Sequence, residues 1–257
     1  MDKQLNLFSI QDKEQSAVSD GIESLGLPPK ASLAHEASGR NEQDMLNSQS
    51  SILNSQSSIL YSSLEEAKSA AMSCKKCVLC KERTKVVFSD GLENAKIMII
   101  GEGPGENEDL QGLPFVGRAG QLLDKIFTSV NLNRKEHLYI CNVVKCRPPN
   151  NRAPADDEAE ACRDYLEAQI KYIDPKIIIL AGAVAVKKVL KLKDPKITKL
   201  RGQWIDGMGD LLQGRKIMPI FHPSYLLRHE WNKNPDSPKA LMWQDIQEIR
   251  KSYDALK

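Results

Sequence analysis

The run Lys96-Ile-Met-Ile-Ile100 stops at Gly101, and the next eight residues hold two more glycines, Pro104 and four carboxylates: Glu102, Glu106, Glu108 and Asp109. A short apolar run rich in isoleucine that breaks in this way reads as a buried parallel strand ending in a functional loop. Three further runs repeat the pattern, over residues 138–142, 176–180 and 216–221, ending at Asn142, just before Gly182 and just before His222. Helical spacing of apolar residues is expected over about 64–72, 120–130, 156–172, 182–190 and 239–253. Strands alternating with helices predict an α/β fold, a three-layer α/β/α sandwich around a central four-stranded parallel sheet. Such sheets bind ligands at the carboxyl ends of their strands. Residues 102–109, Asn142 and His222 should therefore share one crevice.

The first 63 residues read differently. They are rich in Ser, Gln, Asn, Asp and Glu, lack a sustained period, and repeat Asn-Ser-Gln-Ser-Ser-Ile-Leu in tandem at 47–53 and 54–60. Such a segment cannot bury enough apolar surface to order itself, so a disordered tail is expected before a single domain at 64–257. Residues 1–60 carry 4 basic and 8 acidic side chains, which leaves 32 and 26 for the remainder. A body of about +6 suits a polyanionic partner without demanding one. No apolar stretch is long enough for a bilayer, and the N-terminus lacks the apolar core of a signal peptide, so a soluble, cytoplasmic protein with no membrane partner is expected; a monomer is a separate expectation.

Six cysteines without a secretory signal point to metal or redox chemistry rather than disulfides. Cys74 and Cys77 form a CxxC half-site that Cys146 and Cys162 could complete. Spacing leaves zinc and an iron–sulfur cluster both open. Cys80 extends the run to CxxCxxC, and Cys141, inside an expected strand, reads as a small buried hydrophobe.

Four ordered segments, GEGPGENED, GLPFVGRAG, CNVVKCRPPNNRAP and FHPSYLLR, together resemble the family 4 uracil-DNA glycosylases, the iron–sulfur branch of the uracil-DNA glycosylase superfamily. The resemblance runs from about residue 73 to 228. It implies a DNA repair enzyme that flips uracil out of single- or double-stranded DNA and hydrolyses its N-glycosidic bond. It also implies a [4Fe-4S] cluster on Cys74, Cys77, Cys146 and Cys162, with Cys80 and Cys141 spare. At the pocket, Phe115 would stack on the base, although a phenylalanine beside a turn is by itself a core residue. Asn142 would pair with uracil N3–H and O4, and backbone groups of Glu102, Gly103 and Pro104 would complete the base edge. His222 would donate to uracil O2 as negative charge develops there. Ser224 and Arg228 suit phosphate contacts, Arg147 and Arg152 lie near DNA, and Tyr225 or Leu226 would fill the vacated stack, with Leu226 preferred. Association of such an enzyme with the nucleoid is expected.

Two positions depart from the superfamily's best-known branch. Gly103 stands where that branch has the water-activating Asp, which leaves Glu102 and Glu108 as candidates to orient water, and Gly105 replaces the tyrosine that blocks thymine. In the tail, Gln4-Leu5-Asn6-Leu7-Phe8 resembles the peptide by which bacterial repair proteins dock on the sliding clamp; Gln4, Leu5, Leu7 and Phe8 would make that contact. Competing readings are a covalent or non-catalytic uracil-DNA binder, a metal-stabilised DNA-binding adaptor and a dinucleotide-binding fold. GEGPGE does not match GxGxxG, and its carboxylates would repel a pyrophosphate.

Overall fold

The computed structural model describes residues 60–229, 234 and 236–256. Residues 4–8 and most of the expected tail lie outside them. The elements are α1 (Leu64–Met72), β1 (Asp90–Gly91), β2 (Ile97–Gly101), α2 (Glu106–Gln111), α3 (Arg118–Thr128), β3 (Leu138–Asn142), α4 (Asp156–Ala161), α5 (Arg163–Ile173), β4 (Ile177–Ala181), α6 (Ala183–Val189), α7 (Ile197–Leu200), β5 (Ile205–Asp206), β6 (Lys216–Ile220), α8 (Pro223–Arg228) and α9 (Pro238–Asp254).

The sheet order is β1-β3-β2-β4-β6-β5. Its four central strands are parallel, as expected, and each edge carries a two-residue antiparallel strand. Every residue of β2, β3 and β4 is buried, the mark of a parallel sheet covered on both faces. Alternate residues serve opposite layers. Met98, Ile100, Tyr139, Ile178 and Leu180 join one core, and Ile97, Ile99, Ile140, Ile177 and Ile179 the other. Each fully buried isoleucine contributes on the order of 2 kcal/mol, so truncating Ile99 to alanine would cost roughly 2–5 kcal/mol.

α3 shows why its segment folds as it does: Leu122, Leu123, Ile126 and Phe127 fall on one buried stripe. The helix expected over 156–172 is two, α4 and α5, because Cys162 leaves helical geometry between them at φ −98° and ψ −6°. Two short helices, α2 and α8, lie where loops were expected. The chain leaves β2 for β3 on one side and reaches β4 on the other, so a topological switch point opens between the carboxyl ends of β2 and β4. No described helix is long and apolar enough to cross a membrane.

Candidate functional site

At that switch point lies a cavity of about 580 Å³, lined by Glu102–Gly105, Phe115, Asn142, Gly182–Val184 and His222 among others. Gly101 and Asn142 are register partners at the ends of β2 and β3. A Cβ on Gly101 would stand 2.6 Å from Cζ of Phe115 and would collide with Oδ1 of Asn142. The glycine ending β2 is thus what lets ring and amide close over the strand end.

Asn142 is 2% exposed, and its side-chain amide has no hydrogen-bond partner among the described residues. Asn142 lines the cavity, so its amide can pair there with whatever enters. Its backbone carbonyl accepts from Nζ of Lys145 at 2.6 Å. Lys145 is itself buried, donates to Oε1 of Gln169 at 2.5 Å, and through its amide donates to Sγ of Cys162 at 3.3 Å.

Phe115 adopts φ 54°, a left-handed conformation that costs a residue with a Cβ about 1–2 kcal/mol. Arg134 holds it there. Its guanidinium donates to the carbonyls of Pro114 and Phe115 at 2.8 Å each and is anchored by Asp90 and Asp124. Gly120 lies so close beneath the Phe115 carbonyl that a Cβ would collide with it. The ring centroid is 5.7 Å from that of His222.

Glu108 closes the same wall. Its Oε1 accepts from the amides of Val116 at 2.9 Å and Gly117 at 2.7 Å, and its Oε2 from the amide of Gly105 at 3.1 Å. Both oxygens are occupied, so this carboxylate clasps the β2 loop to the Phe115 loop. A Cβ at Gly105 would lie 2.7 Å from Oε2, so a larger residue there would disturb the clasp. Glu102 is the opposite case. Its side chain makes no hydrogen bond among the described residues, and burial raises its pKa above the ordinary carboxylate value.

His222 caps α8. Its Nδ1 receives the amide N–H of Ser224 at 3.2 Å and lies 2.8 Å from the Ser224 hydroxyl. An amide can only donate, so Nδ1 is unprotonated and the neutral ring carries its hydrogen on Nε2. Burial, then the charge of Arg228, lowers the imidazole pKa to about 4, against a smaller opposing effect of Glu108. The ring is therefore a neutral Nε2–H donor at physiological pH.

The expected DNA contacts fare unevenly. Leu226 is 1% exposed in the core, so the preference for it as the stacking wedge is corrected: helix α8 turns Leu226 inward together with Pro223. Tyr225 is half-buried at the cavity, between the rings of Phe221 and His229 at 4.9 and 4.3 Å. The Ser224 hydroxyl is engaged with His222 rather than turned free to a phosphate. Arg228 is exposed, with its guanidinium over Tyr225 at 5.9 Å. Arg152 makes a two-pronged pair with buried Glu158 at 2.8 and 2.6 Å, and Arg147 donates to Asn151 at 2.8 Å.

The cysteines gather on one core layer, where Cys146 and Cys162 are buried and Cys74 and Cys77 partly so. Arg83 donates to Sγ of Cys146 at 3.2 Å. Burial pushes the Cys162 thiol up to about 12 and raises Cys77 and Cys146, with neighbouring cysteines adding to each shift. Ionising these sulfurs would require compensating positive charge. Among the described residues no three His, Cys, Asp or Glu side chains converge as a single ion requires. Cys141 is fully buried within β3, as its strand position suggested.

Sequence reasoning missed Arg134, Lys145 and Gln169. Arg134 is 44 residues from Asp90 and 20 from Pro114, and nothing local marks it.

The family model described as "Uracil DNA glycosylase superfamily" matches residues 88–247, and the chain belongs to that superfamily. Within it, the chain is similar to several Type-4 uracil-DNA glycosylases. A Type-4 uracil-DNA glycosylase of Thermotoga maritima is 46% identical over 187 residues, covering 73% of this chain and 93% of that protein. One of Sulfurisphaera tokodaii is 41% identical over 194 residues, covering 73% and 84%. One of Archaeoglobus fulgidus is 41% identical over 170 residues, covering 64% and 83%.

Proposed function

We infer that this chain excises uracil from DNA, hydrolysing the N-glycosidic bond to release the free base and leave an abasic site. The observation that carries the reading at the site is the unpartnered, buried amide of Asn142 at a strand end, beside the Phe115 ring. A flipped uracil fits it: Oδ1 accepts N3–H and Nδ2 donates to O4, with Phe115 against the face of the base. Cytosine presents the reversed edge and would leave both groups unpaired, which is how one amide rejects it.

As the C1′–N1 bond breaks, its electron pair moves into the base and charge accumulates on O2. The neutral Nε2–H of His222 donates there, a contribution of about 3 kcal/mol to the transition state. Ser224 keeps the ring in the required tautomer. Glu102, with its oxygens free toward the cavity, orients the water whose oxygen bonds to C1′ and faces the cationic sugar; the water's proton passes to Glu102. Glu108 serves as the clasp. Tyr225 is read as the better wedge, and Arg228 and Arg152, which line the cavity, are read with Arg147 as contacts to DNA.

Cys74, Cys77, Cys146 and Cys162 are assigned to a [4Fe-4S] cluster. The four lie on one core layer within electrostatic reach of one another, and four thiolates, one to each iron, are the ligand set such a cluster takes. Bound there, the cluster would fix the loop after β3, and with it Asn142. The tail peptide at Gln4–Phe8 is read as a sliding-clamp tether; deleting residues 1–10 should abolish clamp binding and leave excision from short oligonucleotides intact.

The deciding experiment is multiple-turnover release of uracil from an oligonucleotide in EDTA. Free uracil and an abasic product are expected. A one-to-one protein–DNA crosslink would mean a covalent binder, and binding without product would mean a DNA-binding adaptor.

A further inference from the structure

The cavity accounts for one nucleotide but not for the positive surplus of the body. That surplus is local. Between Lys187 and Lys199 the chain has six lysines and a single acid, Asp194, a net of +5 against about +6 for everything after residue 60. The stretch from α6 to α7 that carries these lysines begins and ends at the cavity. Gly182–Val184, at the start of α6, line it, and so does Ile197, at the start of α7. Between those points α6 leads away from the cavity into a second hollow of about 390 Å³, bordered by five cations, among them Arg163, Lys188, Lys191 and Lys193, and two carboxylates, Asp156 and Glu160.

The carboxylates neutralise part of this charge. Asp156 pairs with Lys187 at 3.2 Å and with Lys188, Glu160 pairs with Arg163, and Asp194 pairs with Lys196 at 2.7 Å. Lys193 and Lys199 are exposed and make no ion pair among the described residues; Lys191 is exposed, with half-buried Glu167 in electrostatic reach. Lys191 and Lys193 follow α6 and Lys199 lies in α7; like charges left without an ion-pair partner along one stretch repel, and a polyanion would relieve that.

We propose that the α6–α7 segment, through Lys191, Lys193 and Lys199, is a track for the phosphodiester backbone of the DNA strand flanking the flipped uridine. The proposal rests on the uracil-excision reading. Seven residues of α6 span about 10 Å, which is roughly three nucleotides of strand at about 3.4 Å each. Contact should start about that far from the reacting base, so very short substrates should not feel it.

The test compares wild type with K191Q/K193Q/K199Q, and with a control, K125Q/K135Q/K251Q, that removes equal charge from exposed lysines elsewhere in the domain. Binding of a uracil-containing 20-mer is measured by fluorescence anisotropy from 50 to 200 mM salt, and excision is measured on the 20-mer and on a trinucleotide. Three lost phosphate contacts should flatten the slope of log K against log salt by about 2 on single strands and nearly 3 on duplex. On duplex the variant then loses about 40-fold less affinity than wild type across that salt range. Excision of the trinucleotide should be unchanged, and the control should retain the wild-type slope. Equal slopes in variant and wild type, or an equal flattening in the control, overturn the track. If wild type binds the 20-mer with a steep slope but excises neither substrate, the uracil-excision reading fails separately.

Discussion

Glu102, in the loop after β2, and Glu108, in α2, sit six residues apart, yet only the Glu108 side chain is hydrogen-bonded among the described residues, and the two glutamines should separate their roles. In Glu108→Gln one oxygen becomes an NH₂ group. The amide can keep the pair of bonds from Val116 and Gly117 only by turning a donor toward the Gly105 amide. One bond to a charged acceptor is lost, and a half-buried donor is left facing another. Together these cost roughly 2–5 kcal/mol, or about 5–15 °C in Tm for a domain of this size. Glu102→Gln breaks no hydrogen bond among the described residues. Burial raises the Glu102 pKa, so its ionised form opposes folding: its contribution is fully present below the unfolded pKa and is lost as pH rises through the folded one. The glutamine should therefore melt at or above the wild-type temperature at pH 8. Its excision rate should fall about 10²-fold with substrate affinity kept. In wild type the acid limb of the rate profile should lie above the ordinary carboxylate value, and in Glu102→Gln that limb should vanish. Differential scanning calorimetry and single-turnover uracil release from pH 5 to 9 decide the matter. If Glu102→Gln loses as much Tm as Glu108→Gln, or keeps the wild-type rate and acid limb, the division of roles is wrong.

Three further outcomes are expected. Asn142→Asp should slow uracil release by about 10²-fold or more and narrow the gap between uracil and cytosine, because an ionised carboxylate repels O4; competition between the two substrates measures this. Lys145→Met leaves the Asn142 carbonyl and Gln169 Oε1 without their donor. It should slow excision about tenfold in the wild-type background and hardly at all in Asn142→Ala, a non-additivity that simple destabilisation does not produce. His222, with its pKa depressed from 6.5 to about 4, takes up a proton in the unfolded chain before the folded one, so stability declines as pH falls through that window. Between pH 7 and 5.5 the decline should be about 1 kcal/mol by urea titration, absent in His222→Asn; equal pH slopes in the two proteins would contradict the buried neutral ring.

The parallel strands were legible because buried β-branched runs are unambiguous when a glycine or a polar side chain ends them, and the expected limits fall within a residue of β3, β4 and β6. Strand-end logic also placed Asn142 and His222 at one crevice. What escaped was anything set by short helices or by burial. The six residues of α8 are too few to show a period, so nothing in Pro-Ser-Tyr-Leu-Leu-Arg told which leucine or aromatic faces outward. Lys145 reads as a solvated loop lysine until its burial is known. The break at Cys162 is similarly hidden, since its neighbours are good helix formers and the geometry is tied to the Lys145 amide.

The Glu108 clasp has a consequence for how the enzyme is inhibited. By joining the loop after β2 to the loop that carries Phe115, one carboxylate makes two walls a single piece before any ligand arrives. A base entering such a slot has little of the protein to put in order, so the product should fit it nearly as well as the flipped nucleotide does. Free uracil should therefore compete with DNA for the slot, and loosening the clasp should relieve that inhibition.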